Sequence, residues 1–227
     1  MSPEAALPLY LLTIRGQLKP ATLEAARAVH NATAGAPANV AAARALGDLS
    51  HMVYVPANQT GPEAGEFLIL DVWNSLEGLN QFFANKQVQE QAGEIFAQRD
   101  PVVWQPAPGF FNYYLPAPHG RDDRTVAFVR GRLPSLEQGQ AVHNQIVTNT
   151  VQAARMAGDL SHAAYLRLAA PGTPEALEFC ALDVWMDPVG MSRLYSDPAF
   201  PAALAQLFAG APTQSAWRHP AGEWVEW

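Results

Sequence analysis

The chain has 227 residues, of which 49 % are hydrophobic and only 15 % charged, and its net charge is −7. This excludes a charge-rich disordered chain and leaves no basic face for sequence-independent nucleic-acid binding. One cysteine, Cys180, excludes an internal disulfide and a cysteine zinc site; it reads as a buried structural thiol.

In chain order, Met1-Ser2-Pro3-Glu4 lacks the basic start of a signal peptide, and no apolar run is long enough to span a bilayer. A cytoplasmic protein without membrane partners is expected. Residues 9–17 form an apolar, β-rich run and predict the first strand. Alanine-rich residues 20–34 and 38–46 predict a helix split at Gly35-Ala36-Pro37, because proline interrupts helical hydrogen bonding. Gly47 is placed to end it. Residues 49–55 and 66–73 predict two strands joined by a turn-rich loop. Ser75 caps a helix through Phe83, a second helical piece runs to about residue 98, and a last strand lies at 102–105.

The same series then returns. Arg15-Gly16-Gln17-Leu18 recurs as Arg130-Gly131-Arg132-Leu133, and Ala28-Val29-His30-Asn31 as Ala141-Val142-His143-Asn144. Gly47-Asp48-Leu49-Ser50-His51 recurs as Gly158-Asp159-Leu160-Ser161-His162, and Leu70-Asp71-Val72-Trp73 as Leu182-Asp183-Val184-Trp185. Tyr54 pairs with Tyr165, Gly78 with Gly190 and Trp104 with Trp217. Collinear blocks of this kind mean a duplicated domain. The expected division is 1–115, a Pro/Gly/charged linker at 116–123, and 124–227. The second half has no break in its helix, expected at 136–157, and ends in a strand near 215–218.

The order βαββαβ is that of a ferredoxin-like split βαβ fold. The fold class is therefore α+β: two tandem ferredoxin-like repeats, expected to pack as a pseudo-dimeric α+β barrel. The sparse charge agrees with halves that cover one another.

The run Glu66-Phe67-Leu68-Ile69-Leu70-Asp71-Val72-Trp73-Asn74-Ser75-Leu76-Glu77-Gly78-Leu79, with the helix after it, resembles the antibiotic-biosynthesis monooxygenase-like family. The resemblance covers this strand-to-helix segment in each half and the strand order. It implies a cofactor-independent oxygenase. Many members carry a histidine in the short helix after the strand; here Gln81-Phe82-Phe83 and Arg193-Leu194-Tyr195 stand there, so no role of that histidine transfers.

Polar residues kept in both halves are the candidate site. With strands one and three taken as parallel neighbours in the order 4-1-3-2, Arg15 should meet Asp71 at a sheet edge, and Arg130 should meet Asp183. His51 and His162 join them. The catalytic candidates are thus His51, His162, Arg15, Arg130, Asp71 and Asp183, the arginines holding a polar group and the histidines moving a proton. A register-fixing ion pair and a hydrogen-bonded core histidine are the structural alternatives. The ligand-binding candidates are His30, His143, Asn31, Asn144, Tyr54, Tyr165, Trp73 and Trp185. Each of His51 and His162 should border a cavity of a few hundred Å³, as ligand pockets do, with His30 or His143 on the opposing wall.

Ser50 lies on the strand face away from His51, which argues against a serine hydrolase. No metal-binding spacing occurs, so no metal site is expected and no cofactor; the alternatives are a divalent ion held by His30, His51 and one aspartate, and a haem held through a histidine, which the family resemblance implies for some members. The function expected is an oxygenase-like enzyme acting on a small apolar or aromatic molecule. The alternatives are a non-catalytic small-molecule or haem binder and a structural subunit. A homodimer of the duplicated chain is a further option.

Overall fold

The computed structural model describes residues 9–61, 63–114 and 124–227. The expected linker at 116–123 lies outside the described residues. Two compact units emerge, described separately here.

The first unit runs β1 (Tyr10–Leu18), α1 (Leu23–Ala32), α2 (Pro37–Ala45), β2 (Asp48–Pro56), β3 (Glu66–Trp73), α3 (Leu76–Ala84), α4 (Lys86–Ile95) and β4 (Phe96–Pro106). Its strands lie in the order β4-β1-β3-β2. Period-two apolar residues drive this sheet: Leu12, Ile14, Val53, Val55, Phe67 and Ile69 all face one buried side. Burying each such side chain contributes roughly 1.5–3 kcal/mol. Pro37 opens α2 at its first turn, so the helical segment is split where the sequence places the break. Gly47, at φ 106°, ends it in a backbone region that suits glycine.

The second unit contains β5 (Tyr113–Tyr114), β6 (Thr125–Arg132), α5 (Leu136–Met156), β7 (Asp159–Arg167), β8 (Glu178–Trp185), α6 (Pro188–Tyr195), α7 (Ala199–Leu207) and β9 (Thr213–Arg218). The order β9-β6-β8-β7 repeats that of the first unit, with β5 added beside β7. Its helix α5 is unbroken over 21 residues.

The expectation that strands one and three run parallel is wrong. The pairs β1–β3 and β6–β8 are antiparallel, as are β2–β3 and β7–β8. Helices connect each first strand to its second, so it is those two that share a direction, with the third between them. Arg15 is therefore opposite Leu68, while Asp71 is opposite Leu12.

The units also differ from the expected halves at their ends. Residues 107–114, which follow β4, belong to the second unit, and residues 220–227, which follow β9, to the first. In the first unit, the amide of His51 donates to Trp227 O at 2.8 Å and the amide of Trp227 to His51 O at 3.2 Å. In the second, Tyr113 pairs with His162 in the same manner. Among the described residues, no helix is long and apolar enough to cross a membrane.

Candidate functional site

Residues three apart on a regular strand face opposite sides of the sheet. Asp48 and His51 nevertheless both point inward, because β2 carries a register shift between Asp48 and Ser50. The extra residue turns Leu49 outward, 50 % exposed, and leaves Asp48 and His51 at 4 % and 5 %. The same shift between Asp159 and Ser161 brings Asp159 and His162 together in β7. Leu49, expected on the apolar face with His51, is displaced from it by this bulge.

From there a chain of polar groups crosses the buried interior. His51 Nδ1 lies 2.7 Å from Asp71 Oδ1, and its Nε2 lies 2.9 Å from His30 Nε2. His30 Nδ1 lies 3.1 Å from Asn31 Oδ1. The orientation of Asn31 is set by backbone on both sides. Its Nδ2 donates to Glu223 O at 2.9 Å, and its Oδ1 accepts from the Val225 amide at 3.0 Å.

This clasp decides where the protons are. Since Asn31 Oδ1 is an acceptor, His30 Nδ1 carries the hydrogen. Burial, and then the charge of His51, lower the pKa of His30 to about 4, so it is neutral and its Nε2 accepts. His51 Nε2 must then donate. A second hydrogen lies between His51 Nδ1 and Asp71. The His51–Asp71 pair thus holds one proton more than a neutral imidazole beside a carboxylate.

The second unit repeats the arrangement. His162 Nδ1 is 2.5 Å from Asp183 Oδ1, His162 Nε2 is 2.9 Å from His143 Nε2, and His143 Nδ1 is 3.2 Å from Asn144 Oδ1. Asn144 accepts from the Phe111 amide and donates to Gly109 O. His143 is lowered to about 4 by burial and by His162. Burial disfavours the His162 cation, but the charge and hydrogen bond of Asp183, with Asp159, outweigh it and raise its pKa. Proton count and electrostatics agree here on an imidazolium facing a carboxylate.

Aromatic rings close both chains. Trp227 stacks on His51 with centroids 4.6 Å apart, and Trp224 meets His30 edge-on at 5.2 Å. Tyr113 stacks on His162 at 5.6 Å, and Phe110 lies 5.1 Å from His143. These rings come from two segments that match residue by residue. Pro106-Ala107, Phe110, Asn112 and Tyr113 correspond to Pro220-Ala221, Trp224, Glu226 and Trp227. Asn112 accepts from the Ala164 amide as Glu226 accepts from the Val53 amide. The sequence carries this repeat, which extends the internal repetition past the last strand of each unit.

Asp48 and Asp159 are absent from the site residues expected from the sequence. Burial, and then the charge of Asp71, push Asp48 up to about 8; burial and Asp183 push Asp159 up to about 7. Their Oδ1 atoms are buried with no hydrogen-bond partner among the described residues. Asp159 Oδ2 accepts from Tyr113 OH. The indole of Trp227 is close enough to Asp48 to lower its pKa, yet Trp227 Nε1 falls short of hydrogen-bond geometry.

A cavity of about 70 Å³ in the first unit is lined by Asp48, His51, Asp71, Trp73, Phe83 and Trp227, among others. One of about 60 Å³ in the second includes His143, Asp159, His162, Asp183, Trp185 and Tyr195. Both are smaller than the few hundred Å³ expected. His143 lines its cavity; His30 does not, and stands behind His51 instead of on an opposing wall. A larger open groove of about 380 Å³, between Arg44 and Gln81, touches none of these residues.

The arginines are elsewhere. Arg15 binds Glu66 at 2.6 Å and Glu63 at 2.8 Å, and Arg130 binds Glu178 at 2.5 Å, which Arg167 shares at 2.7 Å. Antiparallel register puts Arg15 and Asp71 on opposite sheet faces, so the expected Arg15–Asp71 and Arg130–Asp183 contacts do not form. Tyr54 and Tyr165 border neither cavity. Trp73 and Trp185 line the cavities while remaining fully buried.

Among the described residues, no group of three His, Cys, Asp or Glu side chains is arranged for a metal ion. Every ring nitrogen of the four histidines is already hydrogen-bonded. Ligating a haem iron or a divalent ion would break that chain, so these residues do not fit either group.

No family model matches the chain, and neither does any curated protein. Solved structures do. An anthrone oxidase-like protein is similar at 18 % identity and TM-score 0.63, over 94 % of this chain and 92 % of its own. A candidate monooxygenase from Fusobacterium nucleatum subsp. nucleatum is similar at 11 % identity and TM-score 0.62, over 94 % and 93 %. A Listeria monocytogenes ferredoxin-fold protein related to antibiotic biosynthesis monooxygenases gives 10 % and 0.50, over 95 % and 96 %. What these structures share with the chain is the fold, a ferredoxin-like α+β arrangement.

Proposed function

We propose that this protein is a cofactor-independent, oxygenase-like enzyme whose cavities bind a small apolar or aromatic molecule with an acidic C–H or O–H. The observation that carries this reading is the buried carboxyl with a bare Oδ1 beside an Asp–His pair, at an apolar cavity, in both units. A carboxyl titrating near 7 or 8 is matched to proton transfer at neutral pH. The cation at His162, and the extra proton at His51–Asp71, would stabilise the anion that forms. Asp48 and Asp159 are thus the proton acceptors, and the histidines are the electrostatic partners.

A carbanion so formed can give its electrons to dioxygen, and a ring methylene with O₂ yields a ring carbonyl and water. The small cavities suit a substrate that inserts one edge. The fold agrees with this chemistry without naming a substrate.

The test is oxygen consumption by the full chain across phenols, 1,3-diketones and anthrones, compared with Asp48→Asn, Asp159→Asn and the double variant. Uptake that falls at least a hundredfold in the double variant supports the reading, since general acid–base groups contribute about 10²–10⁴-fold. Uptake unchanged by both substitutions, or no uptake with any compound, overturns it.

A further inference from the structure

Among the positions at which the two cavities differ, one decides the hydrogen bonding of the strand-end tryptophan. Ten residues after each strand-end tryptophan stands Phe83 in the first unit and Tyr195 in the second. Both rings meet the tryptophan at a steep angle, with centroids 6.1 Å apart for Trp73–Phe83 and 5.5 Å for Trp185–Tyr195. In the second unit the Tyr195 hydroxyl donates to Asp183 Oδ2 at 2.9 Å and accepts from Trp185 Nε1 at 3.3 Å. Phe83 has no hydroxyl to offer. Trp73 is fully buried, and its Nε1 has no partner among the described residues. Buried donors are rarely left so, because each forfeits its hydration without compensation.

Trp73, Asp71 and Asp48 all line the same cavity. We propose that the first cavity, and not the second, recognises a hydroxyl carried on an unsaturated carbon. That hydroxyl accepts from Trp73 Nε1 and donates to Asp71, reproducing the two bonds that Tyr195 makes inside the second unit. In the second unit the phenol of Tyr195 already makes both bonds, so its cavity of about 60 Å³ offers no unpaired indole N–H. A cavity of about 70 Å³ is under half of the roughly 150 Å³ that encloses benzene, so the ligand inserts its hydroxyl end only. The inference rests on the reading that the first cavity binds a small molecule, and it is independent of what reaction follows.

Phenol is the probe and toluene its control, titrated into the full chain while the indole N–H resonances are followed. The Trp73 resonance is assigned from its loss in Trp73→Phe. The expected result is one equivalent of phenol, a shift of the Trp73 indole N–H to lower field, and toluene roughly tenfold weaker or more, as the loss of both hydrogen bonds predicts. Phe83→Tyr should weaken phenol at least tenfold, and Tyr195→Phe should add a second equivalent. If Phe83→Tyr does not fold, Trp73→Phe serves: phenol should weaken severalfold toward toluene while toluene binding is kept. Two equivalents in the wild type, phenol no better than toluene, or no phenol binding at all would overturn the inference. Oxygen uptake separates the two readings. One equivalent of phenol with no uptake from any substrate sinks the enzyme and keeps the site; two equivalents with Asp48-dependent uptake does the reverse.

Discussion

Replacing Asp48 by asparagine should make the protein more stable above neutral pH and leave it nearly unchanged in acid. The folded carboxyl titrates at about 8, against 3.8 for an ordinary aspartate, because burial and then Asp71 disfavour its charge. Between those values the native state holds a proton that the unfolded chain releases. Folding therefore takes up a proton, and stability falls as pH rises from about 4 through 8. At pH 7 the penalty is up to about 4 kcal/mol, at about 1.4 kcal/mol per unit. Asparagine removes the penalty, keeps an oxygen for the Ser50 amide, and turns its Nδ2 toward Asp71. Urea unfolding at pH 4.5, 6, 7 and 8 measures this. The gain should be largest at pH 8, shrink steadily below 7, and nearly vanish by 4.5. An equal gain at every pH, or a loss throughout, would show that Asp48 is not a buried acid. The same variant should lose the oxygen uptake that the first unit supplies, which trades function for stability at one side chain.

In the Asp48→Asn, Asp159→Asn double variant His30 and His143 are no longer opposed by a raised buried carboxyl. A histidine whose folded pKa is about 4 stabilises the fold above its unfolded pKa, so stability should fall between about pH 6.5 and 4, by up to about 3 kcal/mol for each. A flat urea midpoint over that window would contradict it. Imidazole ¹⁵N shifts at pH 7 should show His162 doubly protonated and His143 neutral with hydrogen on Nδ1; a neutral His162 would break the proton count. Arg15→Met and Arg130→Met, which break partly exposed ion pairs, should each cost less than about 1 kcal/mol and leave phenol binding intact. Lost binding in a folded variant would return the arginines to the site.

Periodicity and repetition were enough to read the elements, the duplication, the 4-1-3-2 order and the pairing of His30 with His51 as inward-facing residues. These are local properties: apolar spacing, glycine and proline at element ends, and blocks that recur. The direction of β3 against β1 was misread, and that one error put Arg15 beside Asp71 when its partners are Glu63 and Glu66. Asp48 recurs as Asp159 and so is visible as a retained polar residue, but strand parity places it on the face away from His51; only the bulge in β2, which depends on pairing with β3, turns it inward. Likewise, nothing in the spacing of Phe110 and Tyr113, or of Trp224 and Trp227, says which histidines they cover. That choice is made by the backbone amides and carbonyls that clasp Asn31 and Asn144. Strand character and repeat blocks are set along the chain, whereas proton positions, pKa values and cavity floors depend on groups far apart in sequence. Burial sets the strength of their interactions, and burial exists only once the sheet and its covering segments have come together.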